Sequence, residues 1–281
     1  MKALVTGGAG FIGTNLIKRL LSDDYDVVSI DNYSTGKKEN HQDGCLYYDY
    51  DLSYNYVRDD GDRYDVIFHL AALPRIQPSF DNPLKTFNAN VLSTLHILEY
   101  ARKNNIRVIY AGSSSVHGGA YKNPYTFTKW QGDKLCHMYS ELFKVPVNVC
   151  RFYNVYGPYH LTEGEYCTVV GIFERQYKNK EPLTITWDGE QRRDFTHIDD
   201  IVDGLVLTAE CKSWGLTLEL GRGKNYSINE LADMFGKDYP KEYIDRRPGE
   251  TKSTLCDTGL AYSVVGYQPR KNIEDYINKI K

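Results

Sequence analysis

The sequence predicts an α/β protein, a doubly wound parallel sheet followed by a smaller C-terminal lobe. Three observations predict it. Short apolar runs alternate with longer amphipathic ones through the first two-thirds of the chain. The first run leads through a glycine-rich turn into the first amphipathic stretch. The alternation loosens after about residue 155, where segments rich in Gly, Pro and Tyr begin.

Each element has its own justification. "KALVTG" reads as a buried strand, and "FIGTNLIKRLLS" carries Phe11, Ile12, Leu16, Ile17, Leu20 and Leu21 at helical spacing. "DVVSID" is a second strand and "DVIFHLAA" (65–72) a strong third one, followed by a long helix near 83–103. "RVIYAGSSS" is another strand. Pro124 suits the first turn of the next helix, with Asn123 as its cap. That helix runs on through "WQGDKLCHMYSELFK", and "VPVNVCRF" is the strand after it. Further on, the expected elements are a helix near 167–178, "LTIT", a helix from about 198 to 211, "LTLEL", a helix after Ser227 and a terminal helix near 272–280. Residues 1–155 are expected to build the sheet domain, with parts of the later chain returning to it. Residues 156–281 are expected to build mainly the lobe.

Composition narrows the function. At 281 residues the chain can bury a sizeable core, and 41% hydrophobic with 25% charged residues is ordinary for a globular protein. A net charge of −3 gives no footprint for nucleic acid or a membrane surface. No run approaches the roughly 18 apolar residues of a membrane span. The N-terminal "MKALVTGG" starts a strand at once instead of a signal peptide. Six cysteines without CxxC spacing fit reduced thiols in a cytoplasmic protein better than a disulfide frame or a zinc site; no metal is expected.

Chemistry enters at the first turn. In "TGGAGFIG", Gly7, Gly10 and Gly13 let backbone N–H groups approach a pyrophosphate at the positive end of a helix. The pattern gains weight from lying between a strand and a helix. The second strand ends at Asp31, which can accept both ribose hydroxyls of an adenosine and repel a 2′-phosphate. NAD is therefore the expected cofactor, although Lys37 and Lys38 keep NADP open. Asp51-Leu52, after an expected strand, could flank the adenine. Further along, Tyr125 and Lys129 stand four apart just after the helix start, so hydroxyl and ammonium share one face.

With these residues together, the sequence resembles the extended short-chain dehydrogenase/reductase family, and most closely its nucleotide-sugar 4-epimerases of the UDP-glucose/UDP-N-acetylglucosamine type. The likeness covers nearly the whole chain. It is carried by "TGGAGFIG", "DNYSTG", "HLAA" (69–72), "NANVLST" (88–94), "SSSVHG", "PYTFTK", "RFYNVYGP" (151–158), "RRDFTHIDDIVDG" (192–204) and "RRPGE" (246–250). It implies a Rossmann-type sheet domain and a catalytic set of Tyr125, Lys129 and Ser113. For NAD it implies contacts from Gly7, Gly10, Phe11, Ile12, Gly13, Asp31, Asn32, Asp51, Leu52, Leu70, Ala71, Ala72 and Asn90 beside Tyr125 and Lys129. For a nucleotide-diphosphate sugar, a UDP-sugar first of all, it implies Arg75, Gln77, Ser79, Ser113, Asn154, Arg193, Arg247 and Thr254. Threonine at 254, where relatives restricted to UDP-glucose/galactose often carry tyrosine, implies room for an N-acetyl group.

Physics supports the tyrosine's role. A phenol titrates near 10, so serving as a base at neutrality needs about 3 pKa units, or ~4 kcal/mol. A lysine one turn away and a cationic nicotinamide favour the phenolate. Ser113, Ser114 and Ser115 lack the carboxylate that related sugar dehydratases and decarboxylases place in this strip. The sequence departs from relatives in the short segment between Ser113 and Tyr125, in His117 where tyrosine is usual, and in Thr128 for serine. His117 is read as structural. In relatives the helices near 83–103 and 125–143 form a dimer interface, so a homodimer is expected through Leu92, Leu95, Leu98, Leu135, Met138 and Leu142; these could equally face the sheet of a monomer. The rival functions are a nucleotide-sugar 4-reductase with net redox chemistry, a dehydratase or decarboxylase, and a non-catalytic NAD-sensing protein.

Overall fold

The computed structural model describes residues 1–55, 57 and 63–281. The first half of the chain alternates as the sequence requires. β1 (Lys2–Thr6), α1 (Phe11–Ser22), β2 (Asp26–Asp31) and β3 (Cys45–Asp49) lead to β4 (Val66–His69). α2 (Ile76–Asp81), α3 (Pro83–Phe87) and α4 (Ser93–Asn104) follow, then β5 (Arg107–Ser113), α5 (Pro124–Phe143) and β6 (Val147–Phe152). The lobe holds β7 (Val155–Tyr156), α6 (Val169–Lys178), β8 (Leu183–Thr186), β9 (Arg192–Asp194) and β10 (Thr196–His197). After these come α7 (Ile198–Ala209), β11 (Thr217–Leu220), β12 (Asn225–Ser227), α8 (Ile228–Phe235), β13 (Lys241–Ile244), α9 (Gly259–Val265) and α10 (Ile273–Ile280).

Seven strands form one parallel sheet in the order β3-β2-β1-β4-β5-β6-β11. The order reverses between β1 and β4, and such a switch point opens a crevice at the strands' C-terminal ends. Strands buried on both faces read as continuous apolar runs, as Ala3, Leu4 and Val5 do. On one face α1 and α7 pack Leu16, Ile17, Leu20, Ile201 and Leu205 against the sheet. On the other, α4 and α5 supply Ile97, Leu98, Cys136 and Tyr139. A third apolar cluster joins α6, α8 and α10 through Phe173, Leu231, Phe235 and Ile277. β11, which lies in the chain between segments of the lobe, completes the sheet beside β6.

Three details refine the sequence reading. The long helix near 83–103 consists of α3 and α4 joined by a widened turn, Asn88–Leu92, with i→i+5 bonding. A short helix, α2, precedes it. The helix stripes expected at a dimer interface divide: Leu98 is wholly buried in the sheet core, whereas Leu92, Met138 and Leu142 remain exposed. Among the described residues no helix is long and apolar enough to cross a membrane, and no cluster of His, Cys, Asp or Glu has the arrangement of a metal site.

Candidate active site

A cleft of about 920 Å³ runs along the strands' C-terminal ends between sheet and lobe. Its sheet wall begins with the turn after β1. Gly7 has φ 74°, and a Cβ there would stand 2.9 Å from the Ala71 backbone nitrogen. A Cβ on Gly13 would come within 2.2 Å of the Gly7 carbonyl. Only glycine permits this fold of the backbone. Gly10 caps α1 without any side chain, which leaves the helix's first N–H groups facing the cleft.

Asp31 ends β2, buried at the cleft wall. Its oxygens accept backbone N–H groups from Ala9 (2.9 Å) and Tyr33 (2.8 Å). Burial raises its pKa, and these two bonds work against the rise. Each oxygen keeps a free lone pair for a ligand hydroxyl. Beside it, Asn32 donates to Asp51 at 3.0 Å. Burial alone would raise the Asp51 carboxyl, but the Ser53 amide and hydroxyl and Asn32 outweigh it and hold the pKa low. Leu52, Leu70, Ala71 and Ala72 line the same wall with Phe11 and Ile12. The glycine cradle and a ribose-facing acid at the switch point fit an adenine dinucleotide.

At the cleft floor Tyr125 and Ser113 meet. The Tyr125 hydroxyl donates to Ser113 Oγ at 3.2 Å, and Ser113 Oγ donates to Ser115 Oγ at 3.0 Å. Local structure sets this position: the Asn123 side chain accepts the Thr126 N–H at 2.7 Å, and Pro124 occupies the first turn of α5. Lys129 follows one turn later on the same face and also lines the cleft. Its ammonium donates to the Ala111 carbonyl at 2.9 Å and lies 5.0 Å from the Tyr110 ring centroid, instead of bonding directly to Tyr125.

Burial dominates the electrostatics here. It lowers the Lys129 pKa to about 8, with Asp133 opposing the fall. It raises the Tyr125 pKa, while the Ser113 hydrogen bond and the Arg75 charge pull it down. The protein environment therefore favours the protonated phenol. Asp133 is buried and gripped by Arg151 at 2.7 Å. Arg151 reaches Glu219 at 3.0 Å, and Glu219 meets His117 at 3.1 Å. His117 thus ends a chain of hydrogen-bonded side chains on the surface, outside the cleft lining.

Two of the expected residues do not line the cleft. One is Asn90. Its carbonyl accepts the Leu73 N–H at 2.8 Å, and its amide donates to the Leu73 carbonyl and to Thr128 Oγ1. A buried amide must satisfy its own groups, and this one does so by clamping the loop after β4 to α5. Ser79 is also withdrawn from the cleft. Its Oγ accepts the Tyr125 N–H at 3.0 Å and donates to the Ile76 carbonyl, so it positions the α5 start.

The remaining expected residues line the lobe wall. Arg193 pairs with Glu250 at 3.6 Å instead of its neighbour Asp194, which is committed to the N–H groups of Arg222, Gly223 and Cys256. Burial lowers the Arg193 pKa, with Glu250 opposing. Arg247 is exposed at the rim. Asn154 donates to Thr254 at 3.5 Å. Gln77 donates to the Pro248 carbonyl. Arg175, Gln191 and the stretch 164–170 also face the cleft, and sequence reasoning missed them. They come from a loop and from isolated polar positions with no periodic signal.

Comparison with known proteins agrees with this geometry. Residues 3–217 match the model of the NAD dependent epimerase/dehydratase family. A UDP-glucose 4-epimerase from Mycolicibacterium smegmatis is 31% identical over 99% of this chain and 97% of its own length. A UDP-glucose 4-epimerase from Thermotoga maritima, solved with UDP-glucose, superposes with a TM-score of 0.91 at 26% identity, over 99% of this chain and 96% of that one. A UDP-glucuronic acid 4-epimerase mutant from Bacillus cereus, in complex with a fluorinated UDP-glucuronic acid and NAD, superposes at 0.87 with 30% identity over the full length of both. The chain belongs to the NAD-dependent epimerase/dehydratase family of extended short-chain dehydrogenases/reductases.

Proposed function

We propose that the protein is a nucleotide-sugar C4 epimerase acting on UDP-hexoses of the glucose/galactose series, including N-acetyl forms. The observation that carries the reading is the Tyr125–Ser113 hydrogen bond at the cleft floor, next to a serine strip without a carboxylate. A single acid–base group suffices to take a proton from a hydroxyl and give it back. Elimination of water would need a second one.

Gly7, Gly10 and Gly13 would hold the pyrophosphate of NAD and Asp31 its adenosine ribose. Bound there, NAD supplies the site that takes up hydride from C4 and gives it back. Ser113 orients the sugar 4-hydroxyl. Tyr125 removes its proton as the ring becomes a 4-keto sugar, and returns the proton after the ketone has turned its other face. Lys129, fixed on Ala111, stabilises the phenolate across the short gap of one helical turn. Arg193, Arg247 and Asn154 hold the diphosphate, which arginine forks suit. Thr254 leaves space beside the sugar. Two copies pair through the exposed Leu92, Met138 and Leu142, which light scattering on the purified protein checks.

Incubation with a panel of UDP-sugars and no added cofactor tests the reading. C4 isomers are expected. A dehydrated or decarboxylated product, or a stoichiometric need for NADH, overturns it.

A further inference from the structure

Arg75 is a charged residue in the cleft that the reaction above leaves without a task. Its backbone sits at φ 90°, ψ 142°, a region that side chains avoid and that persists only where the surroundings enforce it. Its guanidinium is enclosed by protein on most sides and keeps an accessible strip on the cleft. Nε donates to the Tyr166 carbonyl at 3.0 Å. Among the described residues no other group bonds the guanidinium and no carboxylate comes within ion-pair distance, so the two terminal NH2 groups have no protein partner. A buried cation without a counter-charge is costly, and evolution retains one where a ligand brings the missing charge.

The position narrows the ligand. Arg75 immediately precedes α2, and Ser79 on that helix accepts the Tyr125 N–H, which ties Arg75 to the Tyr125 end of the cleft. Burial lowers the Arg75 pKa and Tyr125 is the foremost group opposing that fall, so the two charges sense one another. Arg193 and Arg247 come from β9 and from the stretch after β13, on the lobe wall. The lobe wall would thus supply its own cations to the diphosphate, which leaves Arg75 for the sugar at the Tyr125 end. A planar fork with two free NH2 groups matches a planar carboxylate. On a hexose whose C4 faces Tyr125, the group beside C4 that can carry a carboxylate without losing a ring hydroxyl is C6.

We propose that Arg75 receives the C6 carboxylate of the sugar, so that the preferred substrate is a nucleotide-linked uronic acid. The proposal rests on the epimerase reading for its reaction and on Arg75 alone for its specificity.

The test compares UDP-glucuronic and UDP-galacturonic acid with UDP-glucose and UDP-galactose. A charged hydrogen-bond pair predicts at least a tenfold preference in kcat/KM for the uronates. Arg75→Gln should erase that ratio, through KM for the uronates, and Arg75→Lys should restore part of it. Equal or better turnover of the neutral sugars by the unmodified protein overturns the proposal. So does an Arg75→Gln variant that slows both classes alike with an alkaline shift of the pH profile, since that assigns Arg75 to the phenol. Calorimetric titration of the Tyr125→Phe variant with UDP-glucuronic acid and UDP-glucose separates recognition from reaction. Tighter binding of the uronate supports the proposal even if no isomer forms in any assay, and equal binding overturns it. Circular dichroism confirms that the variants fold.

Discussion

The two walls of the cleft hold their polar groups in different ways. On the sheet wall, Asp31 and Lys129 are bonded to backbone N–H and carbonyl groups of the strands and loops around them. On the lobe wall, Arg193 donates to the Arg192 carbonyl at 2.9 Å and has one long ion pair, while Arg247 stands exposed. A wall whose groups are already satisfied is rigid and suits a ligand that never changes. A wall of long, loosely held side chains costs ordering entropy on binding but adapts to whichever sugar arrives. The difference teaches where specificity can vary without disturbing chemistry.

The largest expected effect comes from the junction of the walls. Tyr125→Phe should lower kcat by about 10²–10⁴-fold, the usual contribution of a general acid–base group, with the fold intact by circular dichroism. Undiminished isomer formation would break the scheme. Asp31→Ala attacks the rigid wall: NAD affinity should fall about tenfold or more, by fluorescence titration, and discrimination against NADP should relax. The adaptable wall responds differently. Thr254→Tyr should reduce kcat/KM for N-acetylated UDP-sugars by about tenfold while sparing the plain hexoses, because it fills space without removing a charge.

The pH response sharpens the contrast further. Lys129 titrates at about 8 in the fold against 10.5 when free, because burial penalises its charge. Between those values the unfolded chain binds more protons, so this group makes stability rise with pH through that window. Asp133→Asn removes the opposing charge and should move the start of the rise below 8, measured by urea titration across pH. The smallest effect belongs to His117→Ala. His117 is exposed and makes one side-chain hydrogen bond to Glu219, so stability should change by under ~1 kcal/mol in the same titration, with kcat unaltered.

Much of the sheet wall was legible in the sequence because its constraints are local. A glycine needed for φ 74° at Gly7, an acid at a strand end, and Pro124 beside Asn123 all announce themselves within a few residues. Two other residues are placed differently from the expectation. Asn90 and Ser79 stand in motifs that suggest ligand contacts, but their side chains turn inward to bond Leu73, Thr128 and Tyr125. Only tertiary placement decides which way a polar side chain in a motif points. The hydrogen-bonded chain from Asp133 through Arg151 and Glu219 to His117 was invisible for the same reason, since its members are far apart in sequence. Arg75 was legible as a cleft residue, and its strained backbone and missing counter-ion were not.

The last strand of the sheet has a consequence for how the chain is made. β11 pairs with β6 only after the ribosome has delivered all of residues 153–216, so β6 waits through that interval with one side unpaired. A nascent or truncated chain ending before Thr217 would offer Val147 and Val149, with their free N–H and C=O groups, as a template for another copy. Cutting this protein at the apparent end of its nucleotide-binding half should therefore give clumping material, and a helper protein that shields that open flank during translation would raise the yield of the intact chain.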